Sequence, residues 1–114
     1  MWKAVLAGVA LVAIAAASGC ASSRGPLQVD VRQIEESAGF ARAEVAVTNS
    51  GVRAGYKQVT IRCVWSHQGQ AVAQGAATAW NLGYRETAVI EPAAELRGAA
   101  FDSVACKVNW AIEN

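Results

Sequence analysis

Few side chains in this sequence could do chemistry. They are one histidine, His67, three cysteines, Cys20, Cys63 and Cys106, and the adjacent acids Glu35 and Glu36. A serine hydrolase needs a nucleophile, a base and an orienter. His67 is the single histidine base on offer, and no Gly-x-Ser-x-Gly elbow precedes a helix. It lies in the segment Ser66-His67-Gln68-Gly69-Gln70, where a lone histidine reads as a solvated turn residue. Glu35 and Glu36 make a poor acid–base pair for glycan cleavage, because successive strand residues point to opposite faces. The cysteines and His67 do not have zinc-ligand spacing, and Gly51 and Gly55 lack the Gly-Lys-Ser/Thr ending of a phosphate loop. The expectation is a non-enzymatic protein with no metal and no cofactor.

Charge narrows the partners. Ten basic and nine acidic residues give a net charge of +1, with no basic stripe and no acidic tail. Nucleic acid is therefore not an expected ligand.

The first residues read as an export signal. Met1-Trp2-Lys3 is short and positive, and Ala4 to Ala17 is an uncharged apolar run of 14 residues. As a helix it would span about 21 Å, short of the ~30 Å hydrocarbon core, so a signal core is the better reading than a membrane anchor. Ala17-Ser18-Gly19-Cys20 then resembles a lipobox, the lipoprotein signal peptidase site, with Ala17 where leucine is usual. That resemblance implies cleavage before Cys20 and acylation of its thiol and new amino group, which would hold the chain to a membrane. The alternative is an ordinary cleaved signal followed by a chance cysteine. Ala21, where an aspartate would signal retention, favours the outer over the inner membrane by the same resemblance. The expected domains are a signal peptide at 1–19, lipidated Cys20 with a flexible Gly-Pro tether to residue 26, and a folded domain at 27–114.

The elements that must position these residues show period two. Leu27, Val29 and Val31 alternate with polar residues, as do Ala41, Ala43, Val45 and Val47. Val59, Ile61, Cys63 and Trp65 do the same, and so do Val104, Cys106, Val108, Trp110 and Ile112. Such runs are half-buried antiparallel strands. Asn49-Ser50-Gly51, the Gly69 turn, Asn81-Leu82-Gly83 and Pro92 punctuate them, with Gly69 expected at positive φ. Residues 71–80 are Ala-rich with no clear parity, 84–90 is ambiguous, and 91–98 reads as a loop or one helical turn. The fold class is all-β, with about six to seven strands in an immunoglobulin- or fibronectin-like sandwich; a small barrel is the alternative.

Val47-Thr48-Asn49, Tyr56-Lys57-Gln58-Val59, Cys63-Val64-Trp65, the Gly69 turn, Trp80 and Val108-Asn109-Trp110 together resemble the YcfL-like family of small periplasmic lipoproteins. The likeness covers about residues 40–112 and implies a fold and a location, but no activity. Lipidation of Cys20 would leave Cys63 and Cys106, an even number in an oxidising compartment and both on core-facing parity. A disulfide between them is the first reading, and two buried free thiols the second. Trp65 and Trp110 are expected in the core. Trp80, Leu82 and Tyr84 are read as an exposed patch for an envelope protein partner, or for a glycan or lipid; the plainer alternative is that Trp80 caps the end of the sandwich.

Overall fold

A computed structural model of the chain describes residues 22–51 and 55–114. The expected leader, Cys20 and Ala21 lie outside these residues. The strands are β1 (Ser22–Arg24), β2 (Leu27–Ser37), β3 (Phe40–Asn49), β4 (Tyr56–His67), β5 (Gln70–Leu82), β6 (Thr87–Ile90), β7 (Ala93–Glu95) and β8 (Ser103–Glu113). One sheet runs β1-β2-β3-β6, with β7 also on β3; the other runs β5-β4-β8. Every pairing is antiparallel. The fold is the all-β sandwich that alternation predicts, and the three-residue strands β1 and β7 raise the count to eight. Residues 91–98 hold β7 rather than a helical turn.

The period-two runs bury their apolar faces against each other. Leu27, Val29, Val45 and Val47 of the first sheet meet Val59, Ile61, Cys63 and Trp65 of the second, all essentially inaccessible to water. Two-residue hairpin loops close β2–β3 and β4–β5. Ala38 and Gly39 take φ 54° and 83°, and Gln68 and Gly69 take 51° and 83°, the mirror-image turn that suits strand twist.

The Ala-rich stretch acquires its parity from register. Ala73, Gly75, Ala77 and Ala79 pair with Trp65, Cys63, Ile61 and Val59, so they face inward. Small side chains are needed here because β5 closes onto β7. A methyl group at position 75 would sit 2.0 Å from the Ala93 carbonyl oxygen, so only glycine fits.

Three departures from simple alternation redirect side chains. In β8, Val108 pairs with Ile61 but Trp110 pairs with Thr60, leaving Asn109 as the extra residue of a bulge. The slip reverses parity beyond Asn109. Trp110 is therefore 51% exposed and Ile112 45% exposed, not in the core as strict alternation predicts. In β5, Asn81 adopts φ 55° and turns Leu82 inward to 3% exposure, which removes Leu82 from the expected surface patch. At the start of the domain, Gly25 at φ 57° folds the chain back, so Ser22–Arg24 pairs with Leu27–Val29 as β1 instead of forming a free tether.

Asn49 ends β3 as a hub. Its backbone N–H donates to the Glu86 carbonyl, its carbonyl accepts from the Arg85 N–H, and its side-chain oxygen accepts from the Gly51 N–H at 3.0 Å. This fully buried asparagine ties the loops after β3 and after β5 together.

Candidate binding face and its surroundings

Register pairs share a face of a sheet, so the outer surface of β5-β4-β8 can be read row by row. One row is Trp80–Gln58–Ile112, the next is Thr78–Thr60–Trp110, and the third is Ala76–Arg62–Lys107. Trp80 and Trp110 thus stand two strands apart, about 10 Å across the sheet. Thr60 lies between them and shares a 2.9 Å hydroxyl hydrogen bond with Thr78. Arg62 donates from Nε to the Gln74 amide oxygen at 3.0 Å, and a second guanidinium nitrogen donates to the same oxygen. These rows hold two bases and no acid.

The outer face of the other sheet has the opposite balance. Asp30, Glu35, Glu44 and Glu95 lie on it by register, against Arg42. Arg42 and Glu35 pair across strands at 3.9 Å, with both side chains about half exposed, so the pair contributes little to stability. Glu36 occupies the alternate register position, so the two adjacent glutamates do not converge.

Trp80 is 64% exposed and Tyr84, in the loop after β5, is 55% exposed. Of the three residues expected to form a patch, the structure leaves these two at the surface and buries Leu82. Trp80 does not cap the core. Ile112 and Trp110 are surface residues that alternation misses. Their one sequence signal is Asn109, a residue disfavoured in strands, placed in the middle of an otherwise regular run.

The cysteines meet as expected. Cys63 and Cys106 are directly opposed on β4 and β8 and form a disulfide, with Cα atoms 4.0 Å apart. Both are buried. The bridge links neighbouring strands of one sheet, and it is inaccessible to a substrate thiol, so its role is structural.

His67 has a structural partner. Its Nδ1 lies 3.5 Å from Asp102 Oδ2, and the same carboxylate accepts the Gln68 N–H at 3.0 Å. Asp102 therefore clamps the β4–β5 turn to the segment leading into β8. Among the described residues, no three His, Cys, Asp or Glu side chains converge to hold a metal ion. An open groove of about 310 Å³ separates the β1–β2 turn from the end of β8; Pro26, Leu27, Tyr56, Ala111 and Glu113 line it.

No family model, curated protein or solved structure matches this chain. The geometry is that of a disulfide-stapled sandwich whose β5-β4-β8 sheet carries exposed aromatics on its outer face, in three rows that hold no acid.

Proposed function

We propose that the chain is a lipid-anchored envelope protein whose non-enzymatic β-sandwich binds another envelope protein at the Trp80–Tyr84 corner. The leader pattern, the lipobox-like Ala17-Ser18-Gly19-Cys20 and the likeness to YcfL-like lipoproteins support export, cleavage before Cys20 and acylation there. Ala21 fits delivery to the outer membrane. The observation that carries the binding site is the position of two large exposed aromatics. Trp80 and Tyr84 sit on the side of the sandwich where β5 packs on β6 and β7, across from β1, which continues from Cys20. Aromatic residues dominate binding hot spots, and tethering to a shared surface raises the effective concentration of partners.

A photo-crosslinker placed in cells at Lys57, exposed beside the corner, tests the site. It captures one dominant envelope protein from the wild type. Trp80→Ala with Tyr84→Ala abolishes that product while leaving stability within about 0.5 kcal/mol, as expected for surface changes. A product that survives both substitutions places the partner elsewhere.

A further inference from the structure

We infer that the β8 side of the sandwich, centred on Trp110 and Ile112 with Lys107 beside them, is a bilayer-contact surface that sets the orientation of the domain. The inference rests on the lipid-anchor reading. Its first support is covalent geometry. The described chain begins at Ser22 in β1, and Cys20 lies two residues upstream, so their Cα atoms are at most about 7 Å apart. A lipid carried on Cys20 would thus be held within two residues of β1. β1 and β2 pack beside β8, and the β1–β2 turn shares a groove with Ala111 and Glu113 near the end of β8. From that turn, β1 runs back beside β2 toward Cys20 while β8, traced backward from the same end, runs through Trp110. The start of β1 and the exposed tryptophan thus lie on one side of the domain.

The second support is the chemistry of that side. Trp110 and Ile112 project from the outer face at about half exposure, on a strand where unbroken alternation would have buried them. Tryptophan concentrates at membrane–water interfaces, where the ring sits among headgroups and the indole N–H keeps a polar partner. Lys107 pairs in register with Arg62 one row further on, and these rows carry no acid, while the opposite outer face is acidic. A basic, aromatic face complements an anionic bilayer, and the acidic face is repelled by one. The occupant is the lipid surface to which Cys20 is attached. Trp80 stands on the same outer face but on the far strand β5, so contact through the β8 edge leaves it, and Tyr84 in the loop that follows, about two strand spacings (roughly 10 Å) further from the bilayer than Trp110.

The test uses the mature acylated protein in mixed phosphatidylcholine–phosphatidylglycerol vesicles whose acyl chains carry bromine, a contact quencher of tryptophan. Cleavage removes Trp2, leaving Trp65, Trp80 and Trp110; Trp65 is buried in the core as an internal reference. Vesicle flotation reports the anchor, and quenching reports the face. The expected result is flotation with strong quenching, most of which disappears in Trp110→Ser and persists in Trp80→Ser, both variants retaining a wild-type unfolding transition. Flotation with Trp110 unquenched, or with quenching carried by Trp80, overturns the orientation and leaves the anchor standing. Failure to float overturns both. A Trp110 emission shift with soluble muropeptides and no bromine quenching assigns the face to glycan and overturns the bilayer contact.

Discussion

Cys63→Ala with Cys106→Ala is expected to lower the unfolding free energy by about 4 kcal/mol, the value the chain-entropy model gives for a loop of this length. The bridge joins residues 43 positions apart and closes the chain from β4 to β8, including β5, β6 and β7. Unfolded and bridged, that segment has far fewer conformations than when unbridged. A domain of this size has roughly 5–10 kcal/mol in total, so the loss is a large fraction of its stability. Urea denaturation of the oxidised wild type and the double variant measures it. A drop below about 1 kcal/mol would mean that the unfolded chain is already restrained, or that strain in the native pair offsets the entropic gain. A parallel thiol titration of the oxidised protein in denaturant is expected to find neither cysteine of this pair free.

The second large effect separates the two tryptophans that alternation treats alike. Trp65→Ala is expected to cost about 3–5 kcal/mol, because the indole is fully buried between the sheets and its loss leaves a cavity among branched aliphatic side chains. Trp110→Ala is expected to change stability by no more than about 0.5 kcal/mol, since its ring lies half exposed on the outer face. Trp65→Phe adds a finer test. The Trp65 Nε1 has no hydrogen-bond partner within the structure, so phenylalanine gives up volume without breaking a bond and restores most of the lost stability. Equal costs for Trp65→Ala and Trp110→Ala would contradict the bulge at Asn109.

Much of this architecture is legible in the sequence, because period-two alternation reports directly which strand face is buried. It identifies β3 and β4 almost whole, and it puts Cys63 and Cys106 both on inward parity; that their strands are neighbours appears only in the sheet register. What alternation cannot carry is a change of phase. A bulge adds one residue, and every side chain after it changes face; Asn109 does this to Trp110 and Ile112. A single residue in the left-handed region has the same effect, as Asn81 shows for Leu82. β7 escapes detection because three residues are too few to show a period. The inward face of β5 is hidden for a different reason. Gly75 in its middle is set by the closeness of Ala93, a contact made only in the folded sandwich.

The candidate surface shows the same division. Trp80 and Tyr84 can be found from residue type and a neighbouring turn signal. Trp110 joins the face only once register is known, and its meaning depends on β1 bringing the start of the domain alongside β8. The Gly-Pro after Arg24 reads as a flexible break, but Ser22–Arg24 pairs with Leu27–Val29, which makes it a hairpin turn.

Intact-mass and fragment-ion analysis of the protein purified from the membrane fraction tests most directly whether this sandwich works at a lipid surface. The expected product begins at Cys20, with a thioether-linked diacylglyceryl group and no leader peptide. A mature chain that keeps Met1, or that starts at another residue without fatty acid, would contradict it.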